Sequence, residues 1–373
     1  MDNYTRSVVN PAMQRQPKGQ PHILFGLMSW PTQKAMLTAI CAGLLTMMAS
    51  MAQAQLFPNL GGQRVGIAGM PFLKNDLSPR SVGMGGANVS LSGDIYAASN
   101  NIALAAEVPT GTVGISNLGF GGLNHNYAAI ILPYRNTGSW VVSVNNLSAG
   151  QMDVRTEFRP DGTGAKFSTT NMSAGVGYAK HLSDMFSFGV FAKYMYESVA
   201  EYSASAVAAD IGFLYKTDWR NLRFAATLQH FGTNATYSGS AAREPFNRNS
   251  QEAETFPTPI TFKMGASVDA IDFEKHKLVA AVQLYHPSDN TENVRIGLEY
   301  SYDDQFLARA GYRINVPNET LPSFGLGLRQ QVVQLPLVID AAVQPSNMLG
   351  MIWSLGFSLG LNKIKVDETT GNQ

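Results

Sequence analysis

Apolar and polar residues alternate along most of the chain, and the alternation is clearest in the segment Val294–Tyr302. One side of this segment carries Val294, Ile296, Leu298, Tyr300 and Tyr302, and the other carries Arg295, Gly297, Glu299 and Ser301. Side chains of a β-strand alternate with a period of two residues. The segment therefore predicts a strand with one apolar face and one polar face.

The same pattern recurs from residue 110 to residue 361 and predicts about fourteen strands. They lie near 110–118, 124–134, 138–147, 168–180, 185–197, 204–216, 221–231, 258–270, 277–286, 292–302, 305–313, 321–330, 334–344 and 349–361. One such strand would also fit a soluble β-sandwich. A long, even-numbered series favours an all-β fold: a transmembrane antiparallel β-barrel with an apolar outside and a polar inside.

Loop lengths give an independent indication of a membrane barrel. The two longest predicted loops, near 148–167 and 232–257, follow the third and seventh strands, so both leave the barrel at the same end. Connections after even-numbered strands are short, as at Ser183–Asp184 and Asp303–Asp304. Outer-membrane barrels have long external loops and short periplasmic turns. The expected location is the bacterial cell outer membrane, with both ends of the barrel in the periplasm.

The N-terminal region predicts export. An apolar run, Ala35–Met51, precedes Ala52-Gln53-Ala54, which is typical of a signal peptide cleaved after Ala54. The only cysteine, Cys41, lies within this run, so the mature chain is expected to have no thiol chemistry. The predicted domains are a signal peptide with an extended lead (1–54), a glycine-rich plug segment (55–108), the barrel (109–362) and a periplasmic tail (363–373).

Composition and charge narrow the function classes. Only 14% of the 373 residues are charged, and acidic and basic residues cancel. This is low against the roughly 25% of an average soluble domain. It fits a lipid-facing surface and gives no basic face for nucleic acid.

Charged residues on the predicted inward faces form a candidate site. The set is Lys193, Arg223, Lys263, Arg295, Glu299, Arg309, Arg313, Arg329 and Asp340. One interpretation is a selective ring or ligand path; the other, which we favour, is a lumen filled by paired side chains and a plug. We also expect Arg309, Arg313 and Arg329 to hold acidic plug residues, such as Asp76 or Glu107.

No pattern points to catalysis. Gly83-Met84-Gly85-Gly86 is similar to a phosphate-binding loop but lacks the strand-turn-helix setting and the Walker lysine, so we interpret these glycines as permitting close packing. The histidines fall in no metal-binding spacing, and no Gly-x-Ser-x-Gly sequence is present. The sequence predicts a non-enzyme without a cofactor or a metal site.

The plug segment resembles the opening of the PorV/PorQ family, which is itself similar to FadL-type outer-membrane barrels. The resemblance is carried by Gly69–Leu73 and Arg80–Leu91, with Asp94 and Asn101 at later family positions and Ile102 where the family usually has Pro. The corresponding plug-motif residues are Phe72, Leu73, Arg80, Gly83, Gly85, Gly86, Asp94 and Asn101.

The resemblance implies a barrel component of the type IX protein secretion system. Its partners would be secreted cargo and the subunits of the translocon or attachment complex. The alternative is a FadL-like transporter of hydrophobic small molecules with the plug segment as hatch. An apolar pocket beneath the hatch or through the wall would favour the transporter, and a lumen packed with charged pairs would favour the secretion component.

Overall fold

A computed structural model describes residues 66–134, 138–200, 202–239, 255–316, 319, 321–332 and 335–361. These residues form a closed antiparallel β-barrel of fourteen strands, which confirms the predicted fold class. The barrel closes where the first strand pairs with the last, from Thr112 opposite Gly360 to Gly119 opposite Trp353. The predicted signal peptide and the C-terminal tail lie outside the described residues.

Each strand pairs with its sequence neighbours. The first seven are β1 (Thr112–Phe120), β2 (Leu123–Tyr134), β3 (Gly138–Asp153), β4 (Lys166–Ser183), β5 (Phe186–Val199), β6 (Tyr202–Lys216) and β7 (Arg223–Gly232). The others are β8 (Thr261–Phe273), β9 (His276–Pro287), β10 (Asn293–Tyr302), β11 (Phe306–Ile314), β12 (Ser323–Val332), β13 (Leu335–Ser346) and β14 (Gly350–Gly360). The two-residue strand Ser238–Gly239 pairs with the start of β6 and extends the wall there. Two other two-residue strands, Ala235–Thr236 and Thr255–Phe256, pair with each other in a separate small sheet.

The two faces of each strand differ as the alternation predicts. On β10, Arg295 and Glu299 point inward and are buried, whereas Ile296 and Leu298 point outward and are exposed. The register of neighbouring strands keeps polar side chains inside and apolar side chains outside all around the wall. Glu299 stands opposite Arg309 on β11, and Leu298 stands opposite Ala310. A shift by one residue would turn the apolar set into the lumen, so burial fixes the register.

Loops and exposed aromatic residues define the two ends of the barrel. The connections 154–165 and 233–260 both follow odd-numbered strands, as predicted. We call this the long-loop end and the other the short-turn end. Exposed aromatic side chains gather near both ends, as in the interfacial girdles of membrane barrels. Near the short-turn end they are Tyr134, Trp140, Tyr215, Phe224, Tyr302 and Phe306, and near the long-loop end Tyr202, Phe231, Phe324 and Trp353.

The described part of the plug segment, residues 66–108, packs inside the barrel. It contains one short α-helix, α1 (Pro79–Gly83), and three 3-10 helices, Pro71–Lys74, Ile95–Ser99 and Ile102–Glu107. The sequence suggests a single helix over 94–107, but the structure has two 3-10 turns there. The break follows from Asn101, whose side chain accepts a hydrogen bond from the Ala103 amide at 3.1 Å and starts a new turn.

The apolar core lies between the plug segment and the inner face of the wall. Ile95, Tyr96 and Ile102 pack with Tyr127 and Ile131 of β2 in the largest buried cluster. Inward side chains of β1–β3 are therefore mostly apolar where the plug touches them. Among the described residues, no helix is long and apolar enough to cross a membrane.

Candidate functional site

Four buried charged side chains join the plug segment to the wall, and we call them the ion-pair chain: Arg80, Glu299, Arg309 and Asp340. Arg80 donates two hydrogen bonds to the Glu299 carboxylate, from Nε at 2.7 Å and from Nη2 at 2.5 Å. Arg309 donates from Nε to Glu299 at 2.6 Å and from Nη1 to Asp340 at 2.6 Å. Two cations and two anions thus alternate without excess charge.

The local structure of the plug segment places the Arg80 side chain against the wall. Helix α1 begins after Ser78, whose side chain accepts a hydrogen bond from the Ser81 amide at 3.3 Å. The remaining Arg80 nitrogen, Nη1, donates to the Ser92 carbonyl at 2.8 Å. Burial alone would lower the pKa of Arg80, but the Glu299 carboxylate outweighs it and raises that pKa above its ordinary value. Arg80 therefore stays charged.

Glycines of the wall make room for this chain of charges. Arg309 stands opposite Gly325, and Asp340 stands opposite Gly327. A Cβ atom on Gly327 would lie 3.0 Å from Nη1 of Arg309 and closer still to Asp340. A larger residue at either glycine would push against the ion pairs.

The expectation that acidic plug residues bind arginines of the wall is wrong. Glu107 pairs instead with Lys216 at 2.6 Å, because the last 3-10 helix carries it to the short-turn end of β6. Asp76 stays within the plug segment, where it accepts hydrogen bonds from Ser81 and Asn100. In the ion-pair chain the plug segment supplies the cation, Arg80, and the wall supplies the anion, Glu299.

The other predicted lumen charges are buried or half-buried, with a mixture of partners. Lys193 pairs with Asp210 at 2.7 Å, and Arg223 lies 3.4 Å from Asp269. Lys263 donates to the Asn100 side chain of the plug segment at 2.8 Å. Arg313 pairs with Glu319 at 3.2 Å. Most of these side chains therefore have a polar partner inside the barrel.

Two predicted lumen arginines have no acidic partner. Within the described ranges, neither Arg295 nor Arg329 has a carboxylate within 4.0 Å. Arg295 lies over the Tyr285 ring, 3.9 Å from its centroid, and donates to Asn293 at 2.9 Å. Gly86 of the plug segment, at a φ of 85°, leaves the space that the Arg295 side chain fills.

The remaining plug-motif residues hold the segment in place. Phe72 lies 6.1 Å from the His125 ring, and Leu73 packs beside it in the same apolar cluster. Asn101 donates to the carbonyls of Val89 and Phe213. Their roles in function stay predictions.

Gly83, Gly85 and Asp94 also serve packing and local order. Gly85 has a φ of 64°, and a Cβ atom there would lie 2.8 Å from the Tyr312 amide nitrogen. A Cβ atom on Gly83 would lie 2.9 Å from the Cα atom of Gly325. Asp94 accepts a hydrogen bond from Ser78 at 2.7 Å, and burial raises its pKa despite the nearby Arg80. These contacts fit the close-packing interpretation of the glycine-rich run.

Sequence reasoning missed several residues that bind the plug segment. Gln283 on β9 accepts hydrogen bonds from the backbone amides of Asn88 and Val89, at 3.2 and 2.9 Å. Tyr96 reaches the wall carbonyls of Ile115 and Phe357. Gln283 on β9 and Asp210 on β6 lie at inward positions of their strands. The alternation of apolar and polar residues therefore indicates that both side chains face the lumen. Gln283 is uncharged, so the pattern of inward charges does not include it.

A groove lies on the outside of the barrel. It has a volume of about 580 Å³ and is lined by outward side chains of β14 and β1–β3, among them Ile115, Val144, Trp353 and Phe357. The pairing of β1 with β2 and of β2 with β3 continues through these positions, so the groove does not pierce the wall. Among the described residues, no group of His, Cys, Asp or Glu side chains is arranged to hold a metal ion.

Comparisons with known proteins identify the fold. No protein-family model matches the chain, and no curated protein sequence matches it. The structure is similar to that of the toluene transporter TodX from Pseudomonas putida, with a TM-score of 0.50 and 12% identity over 80% of this chain and 98% of that one. A second TodX structure gives a TM-score of 0.51 and 10% identity over 76% of this chain and 98% of that one.

The toluene transporter TbuX from Ralstonia pickettii gives a TM-score of 0.49 and 12% identity over 76% of this chain and 96% of that one. At these identities the likeness to TodX concerns the fold alone. The chain thus has the fold of the TodX barrel, a closed fourteen-stranded antiparallel β-barrel.

Proposed function

We propose that the protein is an outer-membrane conduit for hydrophobic small molecules in which the plug segment acts as a movable hatch. The observation that carries the proposal is the fold: a closed fourteen-stranded barrel with an N-terminal plug, similar to barrels named as toluene transporters. Residues 70–108 pack against the inner face of the wall, so in this proposal passage requires the plug segment to move. In this proposal the ion-pair chain holds the plug segment in its closed position.

A cysteine cross-link tests whether movement of the plug segment is required. The Cγ1 atom of Val89 lies 2.7 Å from the position of a Cβ atom built on Gly265 of β8. This contact brings the two side chains within reach of the Cβ–Cβ separation of roughly 3.5–4.5 Å in a disulfide. A Cβ atom on Gly265 also lies 2.5 Å from the Val282 carbonyl oxygen, so the strand must shift locally to accept the cysteine. The double variant Val89→Cys/Gly265→Cys should therefore tie the plug segment to the wall when oxidised and release it when reduced.

The readout is uptake of radiolabelled toluene by cells that lack their own transporter of this class. Cells expressing the unmodified chain should take up more toluene than cells without it. The oxidised double variant should lose that gain, and reduction should restore it. Each single cysteine variant controls for the substitutions themselves. Equal uptake with and without the unmodified chain would refute this function for the probe used.

A second function, a component of the type IX secretion system, is favoured by the ion-pair chain. Four buried, mutually paired charges between the plug segment and the wall suit a barrel that stays closed and acts as a scaffold. The likeness to toluene transporters concerns the fold and does not decide whether the plug segment moves. In this proposal the long-loop end, including the ordered connection 154–165, binds secreted cargo or partner subunits.

Deleting the gene separates the two proposals. A secretion component predicts that proteins with C-terminal sorting domains fail to reach the cell surface, while toluene uptake is unchanged. Normal export and attachment in the deletion strain, in the absence of a compensating paralogue, would refute the secretion role. Identifying the proteins that co-purify with the detergent-solubilised barrel would name its partners.

A further inference from the structure

The outward face of β1–β3 carries a row of asparagines, which we call the asparagine row. Asn117, Asn126 and Asn146 stand side by side on the three strands, Asn117 opposite Asn126 and Asn126 opposite Asn146. One further outward asparagine, Asn124, lies on the described barrel strands, two residues nearer the long-loop end of β2; β10, for example, presents only Val, Ile, Leu and Tyr. The polar row is therefore a local departure from an apolar wall.

The asparagine row borders the groove of about 580 Å³ on the outer wall. The next row toward the middle of the barrel contains Phe357, Ile115, Ala128 and Val144, in register on β14 and β1–β3. Ala128 has the smallest side chain of these four and forms the floor. The groove thus has an apolar trough with polar amides at one end.

Hydrogen bonding within the asparagine row leaves donors free. Asn117 donates from Nδ2 to Oδ1 of Asn126 at 2.7 Å, and the Asn126 amide nitrogen has no hydrogen-bond partner among the described residues. The Oδ1 atom of Asn117 is buried and also lacks a partner within the described ranges. The Asn146 side chain has no hydrogen-bond partner among the described residues. Amide groups in apolar surroundings are costly unless they are hydrogen-bonded. The free N–H groups call for an acceptor supplied from outside the chain.

The depth of the asparagine row in the membrane indicates which chemical group could accept hydrogen bonds from its free N–H groups. Trp353 stands opposite Gly119 and belongs to the aromatic girdle at the long-loop end. Asn117 of the row precedes Gly119 by two residues, about 7 Å along β1, which is roughly 5 Å toward the membrane centre for a strand tilted by about 40°. Girdle residues sit at the headgroup level. The acyl linkages of membrane lipids, with their carbonyl oxygens, lie just beneath that level.

We propose that this groove binds one membrane lipid, with an acyl chain in the apolar trough and the carbonyl oxygen of its acyl linkage accepting hydrogen bonds from Asn126 and Asn146. The site is distinct from the plugged lumen and does not depend on the proposed function. It differs from ordinary lipid contact because it combines a shaped trough with directed donors, so the bound lipid exchanges more slowly than its neighbours.

Tryptophan quenching by brominated phospholipid tests the site, because Trp353 lines the groove. In a chain with Trp30, Trp140 and Trp219 replaced by Phe, Trp353 is the only tryptophan, and its emission is excited selectively over that of the tyrosines. The protein is reconstituted in phosphatidylethanolamine–phosphatidylglycerol bilayers that contain a small fraction of lipid brominated on the acyl chain. The matched control carries Phe324→Trp and Trp353→Phe, which moves the fluorophore to an exposed girdle position outside the groove.

A bound lipid predicts that Trp353 is quenched more than the control tryptophan at the same fraction of brominated lipid. Asn126→Leu/Asn146→Leu should abolish this excess, while Ile130→Leu/Val142→Leu, on the same strands and outside the asparagine row, should leave it unchanged. Equal quenching of Trp353 and the control tryptophan would overturn the proposal. So would an excess that survives the double asparagine substitution.

Discussion

Two parts of the wall hold the plug segment in different ways: β10–β13 through charged side chains and β1–β3 through apolar packing. At β10–β13 the inner face holds the plug segment through Arg80, Glu299, Arg309 and Asp340, while the outer face is apolar. At β1–β3 the inner face packs Ile131 and Val141 against the apolar side of the plug segment.

The difference shows that the plug segment has two faces. One is fixed by directional charge pairs that specify a single position, and the other by apolar packing that excludes water. Buried ion pairs add little net stability relative to apolar contacts, but breaking one is costly. We infer that the charged side sets the position of the plug segment and that the apolar side supplies most of the free energy of burial.

The largest expected effect comes from breaking the charged side. Glu299→Gln leaves Arg80 and Arg309 without their shared carboxylate and should lower the free energy of unfolding by about 3–5 kcal/mol. Urea unfolding in lipid vesicles, followed by tryptophan fluorescence, measures the change. The control is Asp303→Asn, which removes the exposed pair with Lys275 and should cost at most about 1 kcal/mol. An equally small change in both variants would contradict this assignment.

A smaller effect is expected from crowding the charged side. Gly311 on β11 touches the backbone of Met84 and Gly85 in the plug segment, so a Cβ atom there meets atoms that cannot rotate away. Gly311→Ala should cost about 1–3 kcal/mol or more. The matched variant on the apolar side is Gly114→Ala, whose Cβ atom meets the Ile95 side chain at 2.5 Å.

The Ile95 side chain can shift, so Gly114→Ala should cost less than Gly311→Ala in the same unfolding measurement. The reverse order would show that the apolar side is the more tightly packed of the two.

The smallest effect comes from the polar anchor on the apolar side. The Tyr96 hydroxyl lies 2.6 Å from the Phe357 carbonyl, which already belongs to the β1–β14 ladder. Tyr96→Phe removes this hydrogen bond and keeps the ring, so it should cost about 1 kcal/mol. Thermal unfolding of the two proteins in the same detergent measures it. A loss as large as that of Glu299→Gln would mean that this side also depends on polar contacts.

Much of the fold could be predicted from the sequence because strands repeat a physical pattern. Alternation in segments such as Val294–Tyr302 fixes both the strand and its two faces, and the parity of loop lengths fixes which ends of the strands meet. These signals are local or nearly so. They located fourteen strands, with ends that differ from the structure by a few residues in most cases.

The arrangement of the lumen could not be predicted in the same way. Arg80 and Glu299 are far apart in the sequence, and no local pattern brings a cation of the plug segment to an anion on β10. We expected acidic plug residues to bind arginines of the wall, and this pairing is wrong. Which side chains meet depends on the path of the plug segment, and that path is irregular and follows no sequence pattern. The asparagine row could not be predicted from the inward charges, because Asn117, Asn126 and Asn146 are uncharged and lie on outward positions of three strands that only the register brings side by side.

A double-mutant cycle between Arg80 and Glu299 tests the central claim most directly. The free energy of unfolding in lipid vesicles is measured for the unmodified chain, Arg80→Met, Glu299→Gln and the double variant. If the plug segment is held in the lumen by this pair, the two substitutions couple by at least about 1.5 kcal/mol, as close buried charge pairs do. Additive effects, with coupling near zero, would show that Arg80 does not bind Glu299 and would contradict the plugged barrel described above.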